Sequence, residues 1–377
     1  ANACTVIAAF ASGFTLMAPT LKEISRLAGT SVSTASRIVN GQTGHRFSVE
    51  TRQAVLDAAK TLNYRPQKAA QTLATGKTNN VAVIVNNLAN PFFGYFASLL
   101  QTRLMQRGLT AIPIEIRSEE TGQDKAHWLE WVDQRDVDAA IDLQGDSGPW
   151  LNAKELETYA RFIQHRPLVL RRNESHPLGV PVDFVHVDYN TGLRDLARHL
   201  KQTGWQRIGV VTVRGHMPQH IAARQELVST QNFTAELRDH LDAANLESRL
   251  AWWRGVDDER GASPDWYHAT LDVLTRNPDL DTLIVHNVDA LPPVLQAIST
   301  AGRTVGQDLA LASFDDLPAS RWLGPGITVV SEPYTAVADG LIDLMSRRVE
   351  SPDDDVRQIH LPTELVVRRS TCADAID

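Results

Sequence analysis

Between residues 31 and 40 the chain places Ser33, Ser36, Arg37 and Asn40 at helical spacing, so that they form one short, polar and basic stripe. Those side chains suit the reading of base edges. Arg37 can donate two parallel hydrogen bonds to guanine O6 and N7. Ser33 can donate or accept, and Val32 can make only apolar contact, for instance with a thymine methyl.

Three helices are needed to hold that stripe. Thr20-Leu21-Lys22-Glu23 is a capping box opening the first, in which Leu21, Ile24, Leu27 and Ala28 recur on one side. Gly29 ends it, because glycine tolerates the left-handed conformation of a helix C-terminus. Ser31 restarts a helix whose apolar stripe is Ala35, Ile38 and Val39. After a loop at 41–47, Ser48 caps a third helix with Val55, Ala58, Ala59 and Leu62 facing inward. Two helices joined by a tight turn, with a third closing a small core, make the helix-turn-helix plan. The spacing alone also fits a small helical subdomain with a solvated polar face. Charge favours the first reading. Residues 1–77 carry nine Lys/Arg against three acids, while the other 300 residues carry 28 basic and 42 acidic groups. A basic head on an acidic body suits a polyanionic partner.

The 377 residues, 43% apolar and 22% charged, predict two or three globular units and exclude disordered, collagen-like and coiled-coil classes. Cys4 and Cys372 are too few for a disulfide framework, and no Cys/His cluster suggests a metal. No apolar run reaches the roughly 18 residues of a membrane span. Ala1–Pro19 is apolar and uncharged; without a basic stretch before it, it reads as an extension or tail with Met17 as the initiator, and the chain as cytoplasmic. No nucleophile elbow, P-loop or zinc-protease motif occurs, and Asp315-Asp316 are chain neighbours that seldom flank one substrate; neither an enzyme nor a cofactor is expected.

Beyond Asn80 the pattern changes. Short apolar runs at 81–85, 111–116, 139–143, 168–170 and 185–187 alternate with helical stretches at 95–107, 126–134 and 151–163. A second series has strands at 208–213, 250–253, 283–285, 309–313 and 327–330, with helices at 194–202, 222–231, 265–275 and 292–301. Such alternation implies doubly wound parallel sheets, whose ligands sit outside the carboxyl ends of the strands. Phe92 and Phe93 follow the first strand and offer faces to a sugar ring or base; a packed core pair is the other reading. Trp252-Trp253 at a later strand end reads first as core.

LKEISRLAGTSVSTASRIVNG and NYRPQKAAQTLATGKT resemble the head of the LacI/GalR family of bacterial transcriptional regulators. The resemblance runs over about residues 20–371 through NPFF (90–93), GQDLALASFDD (306–316), ITVVSEP (327–333) and LPTELVVRRST (361–371). It implies an α/β protein with a three-helix helix-turn-helix head (20–65), a hinge helix and linker (66–78), and a body (79–371) of two periplasmic-binding-protein-like subdomains. The first subdomain would take about 79–185 and 307–333, the second about 186–306 and 334–371.

Carried over by motif, Val32, Ser33 and Arg37 fall on base-reading positions. Thr20, Ser31, Thr34, Ser36 and Asn40 fall on backbone-contacting ones, with Thr51 an addition. Ser31 and Ser48 would also be helix caps in any protein. Ala70 and Leu73 match the hinge, Ala70 as a small residue allowing close approach and Leu73 as a wedge into the minor groove. Arg224 matches an effector-contacting arginine, although Gln225-Glu226-Leu227 after it departs from the family. Asn287-Val288-Asp289 stands where the family has Asn-Asp, so either Asp289 substitutes for the aspartate or this contact is lost; Asp315 is matched by motif, as a cleft residue or a structural one. The function implied is a repressor. Its homodimer would bind a pseudo-palindromic operator with an affinity set by a sugar or sugar derivative. The alternative is a solute-binding protein without a DNA function.

Overall fold

The computed structural model of the chain describes residues 19–40, 47–64, 72, 76–85, 87–115, 132, 136–143, 153–173, 180–213, 228–253, 265–285 and 288–372. The chain divides into two compact units, 1–78 and 79–377.

In the first unit three helices, α1 (Leu21–Leu27), α2 (Val32–Val39) and α3 (Val49–Thr61), enclose a small core of Ile24, Ala35, Ile38, Val55 and Ala58. Each begins on a hydroxyl that accepts a backbone N–H three residues on: Thr20, Ser31 and Ser48. Gly29, at φ +61, turns the chain between α1 and α2.

The second unit runs β1 (Asn80–Val85), α4 (Pro91–Gln106), β2 (Thr110–Glu115), β3 (Ala139–Asp142), α5 (Ala153–His165), β4 (Leu168–Arg172), β5 (Asp183–Asp188), α6 (Asn190–Gln202), β6 (Arg207–Val213), α7 (Val228–Ala243) and β7 (Glu247–Trp253). It continues through α8 (Trp266–Arg276), β8 (Thr282–Val285), a 3-10 turn (Val288–Ala290), α9 (Leu291–Thr300), β9 (Ala310–Phe314), α10 (Pro318–Trp322), β10 (Thr328–Ser331), α11 (Tyr334–Glu350), β11 (Gln358–Pro362) and β12 (Glu364–Val366). The strands form two six-stranded sheets, ordered β11-β5-β4-β3-β1-β2 and β12-β10-β9-β8-β6-β7. All described pairings are parallel except β10 with β12. Strands β1, β3 and β4 are buried almost throughout, the mark of a sheet covered on both faces.

The division of residues 307–371 between the halves differs from the expected one. Strands β9 and β10, within 307–333, belong to the second sheet, where β9 pairs with β8 and β10 with β9. Helix α11, within 334–371, packs on β3, β4, β5 and β11 of the first sheet. The reason is connectivity: β8–α9–β9 is one unbroken βαβ unit, and consecutive strands of such a unit pair side by side. A boundary at residue 306 would split it. The chain instead crosses between the sheets after β5, after β10 and between β11 and β12. Thr363, in the last crossover, donates to the carbonyl of Asp188 in the first at 3.1 Å. Gly192 is required beside it, since a Cβ there would lie 2.5 Å from Thr363 Oγ1 and from Val330 Cγ1.

Candidate nucleic-acid interface and effector cleft

Helix α2 turns Ala35 and Ile38 into the head core and leaves Ser31, Val32 and Ser33 exposed, with Arg37 partly exposed one turn on. Val32 is 46% exposed. The capping box at Thr20 is complete: Thr20 N donates to Glu23 Oε2 at 2.7 Å and Glu23 N to Thr20 Oγ1 at 3.3 Å. The bonds that Thr20 donates from its N–H and its hydroxyl hold the Glu23 carboxyl below the usual carboxylate range. Ser31 accepts from Thr34 N at 3.0 Å, and Ser48 from Thr51 N at 3.1 Å. Thr20 and Ser31 therefore act as caps; the Thr20 hydroxyl donates to Glu23 Oε2 at 3.0 Å, and the Ser31 hydroxyl shares a hydrogen bond with that of Thr34 at 2.9 Å. Asn40 caps the other end and donates to Ser36 Oγ at 3.3 Å. Thr34, Ser36 and Thr51 are partly exposed. Ala70 and Leu73 lie outside the described residues.

In the second unit, Asn90 starts α4 by accepting from Phe92 N at 2.9 Å, with Pro91 in the first turn. This seats the Phe92 ring against Phe93, Phe96 and Tyr334, with centroids 5.0, 5.9 and 6.1 Å away. The Arg171 guanidinium lies over the same ring at 5.1 Å. Phe92 is thus a packed core residue, and only Phe93 of the pair is partly exposed. Arg224 and Asn287 lie outside the described residues, as do the side chains of Trp252 and Trp253. Val288 is buried, so at this turn the acid is Asp289; its Oδ1 is buried without a hydrogen-bond partner, and burial pushes its carboxyl up.

Asp315 follows β9 in the left-handed region at φ +70, a strained conformation that Asp tolerates better than most residues and that clusters at functional sites. Its side chain is buried and accepts from Tyr334 Oη at 3.1 Å. Burial, reinforced by the charge of Glu332 and opposed by that of Arg171, pushes its carboxyl up to about 7. Glu332 lies just beyond β10 and is itself buried. Its carboxylate takes a paired bond from Arg171, whose Nε donates to Oε2 at 3.1 Å and whose Nη2 donates to Oε1. Tyr189 Oη, just beyond β5, donates to Oε1 at 2.6 Å.

Sequence reasoning named Asp289 and Asp315 but missed Arg171, Tyr189, Glu332 and Tyr334. Two arginines ending an otherwise apolar strand were a local signal for Arg171; Glu332, directly after Ile327–Ser331, carried none of its own.

Two family models match the chain. Residues 20–67 match the bacterial regulatory proteins of the lacI family, and residues 197–371 match the periplasmic binding protein-like domain. The chain is thus similar to the LacI family over its head and to the periplasmic binding protein-like domain over much of its body. Among relatives in the family, the HTH-type transcriptional regulator CelR of Thermobifida fusca is 27% identical over 362 residues, spanning 93% of this chain and 98% of that protein. GalS of Salmonella typhimurium, another HTH-type transcriptional regulator, is 27% identical over 354 residues, or 94% and 96% of the two chains. The lac repressor dimer bound to operator shares the fold with a TM-score of 0.74 at 20% identity, covering 94% of this chain and 99% of that one. These relatives are HTH-type transcriptional regulators, and the chain is such a DNA-binding regulator. None of its described helices is long and apolar enough to cross a membrane.

Proposed function

We propose that the protein is a cytoplasmic repressor, binding a pseudo-palindromic operator as a homodimer and controlled by a small carbohydrate in the cleft between its two sheets. One observation carries the DNA side: α2 presents exposed Val32 and Ser33, with Arg37 one turn on, from a helix whose other face is locked into the head core. Thr20, Ser31, Thr34, Ser36, Asn40 and Thr51 hold the head to the phosphate backbone. Leu73, with Ala70 giving room, wedges open the minor groove.

The dimer is supported by exposed apolar side chains of the second unit, Tyr95 and Met105 on α4, Ile112 on β2 and Trp322 at 80% exposure. Two-fold symmetry then sets two heads on two half-sites. The sugar is supported by the carboxyls of Asp289 and Asp315, by Phe93, and by solved structures of relatives: a complex of CelR with cellobiose and LacI-family regulators with lactose and with ribose. Arg224 and Asn287 complete the effector contacts in this reading.

The test is an operator titration of wild type and Arg37→Ala, with and without sugars that raise the melting temperature. Arg37→Ala should cost about 1–3 kcal/mol on the specific site and relax one base position. Equal losses on operator and random DNA would refute direct readout by Arg37. A chain that binds sugar and has no operator affinity would be a solute-binding protein instead.

A further inference from the structure

The cleft floor has an unusual charge balance. Arg171 is buried at the carboxyl end of β4, its guanidinium stacked on Phe92 and both its Nε and Nη2 committed to Glu332. Its neighbour Arg172 belongs to the other face of the sheet, over the Phe184 ring at 5.0 Å. Among the described residues, three carboxyls stand against that committed cation: Glu332, Asp315 and Asp289, the last near enough for its charge to bear on Asp315.

One carboxyl oxygen is buried with no partner to receive from, Asp289 Oδ1. Asp315 is only 7% exposed; its Oδ1 accepts from Tyr334, and no described residue donates to its Oδ2. A buried acceptor left open is costly unless something fills it. What it calls for is a donor, a hydroxyl or ammonium group.

We infer that this floor takes a neutral or cationic polyhydroxyl ligand and rejects an anionic one, and that Glu332 determines this by occupying Arg171. The inference deepens the proposed function and rests on the reading that the cleft binds a sugar. An anionic sugar would bring its charge among these carboxyls, in a buried site whose one described guanidinium is already paired bidentately. Removing the carboxylate of Glu332 frees Arg171, the side chain best shaped to grip a ligand carboxylate. Glu332 is therefore a specificity-determining residue that need not touch the ligand.

The experiment uses the full chain as wild type, Glu332→Gln and Glu332→Ala. Isothermal titration compares galactose, galactosamine and galacturonate, and lactose with lactobionate. In wild type the acid of each set should bind at least tenfold more weakly than its neutral member, and Glu332→Gln should shrink that ratio at least tenfold. An acid bound by wild type as tightly as its neutral partner overturns the inference, as does an unchanged ratio in Glu332→Gln. If no sugar of any class binds, the sugar reading fails by itself, and the charge reading is decided without it. Sodium acetate, measured against sodium chloride, should then raise the melting temperature of Glu332→Ala saturably, by filling the place beside Arg171, and leave wild type unmoved. Should Glu332→Ala fail to fold, Glu332→Gln with formate gives the same comparison. Equal effects of the carboxylate on variant and wild type overturn the inference.

Discussion

Replacing Asp315 with Asn should flatten the pH dependence of the body's stability. The Asp315 carboxyl is raised from an ordinary 3.8 to about 7, mainly by burial. Between those values the folded chain holds a proton that the unfolded chain releases, so the folded state binds more protons and stability falls as pH rises. The contribution is intact below about pH 4 and lost above about pH 7. At about 1.36 kcal/mol per pKa unit, a shift of about three units sets a ceiling of roughly 4 kcal/mol. The Asn amide keeps the shape of the carboxyl and removes the charge, so the variant loses this slope. Other groups titrate nearby. Glu236 and Asp289 are also raised and slope the same way, whereas burial lowers His186 and His199, which slope the opposite way. All are present in both proteins, so the difference between the two curves isolates Asp315. All 8 tryptophans lie beyond residue 78, so urea unfolding followed by tryptophan fluorescence reports on the body alone. Measured at pH 5, 6, 7 and 8, wild type should lose on the order of 2–4 kcal/mol more than Asp315→Asn. Parallel curves would show that Asp315 is charged in the folded protein at neutral pH, and the argument from its burial would be wrong.

Three further outcomes follow from named contacts. Ser31→Ala removes the cap of α2 and should cost about 0.5–2 kcal/mol of head stability; hydrogen exchange of head peptides in the full chain should speed up and operator affinity fall, with sugar binding unchanged. Asp183 accepts from Arg347 Nη2 at 2.9 Å, from Arg348 Nε and Nη2 at 2.9 Å each, and from Arg357 N at 2.7 Å, tying α11 and the approach to β11 onto β5. Asp183→Asn leaves two part-buried guanidiniums short of their counter-charge and should lower body stability by about 3–5 kcal/mol, read as a lower urea midpoint. Arg224→Ala should abolish the response of operator binding to sugar and leave sugar-free operator binding near wild type; a variant that responds at the same sugar concentration removes Arg224 from the cleft.

What the sequence made legible divides along a physical line. The head was readable because its signals are local: Thr20 and Glu23 cap within one turn, Gly29 sits where only a left-handed residue fits, and the apolar spacing of Ala35 and Ile38 is the helical period itself. The alternation of strands and helices in the body was readable for the same reason. The assignment of β9, β10 and α11 to halves was not, because which sheet a strand joins depends on the edge open to it and not on its own residues. Phe92 shows the limit in the cleft: a ring after a strand can face ligand or core, and only the Asn90 cap and the approach of Tyr334, more than 240 positions away, turn it inward. Glu332 shows it more sharply. Directly after an apolar strand it looks like an ordinary exposed turn residue, and its sequence gives no sign of Arg171, 161 positions earlier. The chain must cross between two sheets before those side chains meet. Once they do, the cost of burying each charge forces the pairing, and the pairing in turn leaves Asp315 as the acid without a counter-charge. The specificity of the cleft is thus set by a residue that local patterning could not single out, because its role exists only through the contacts that the fold creates.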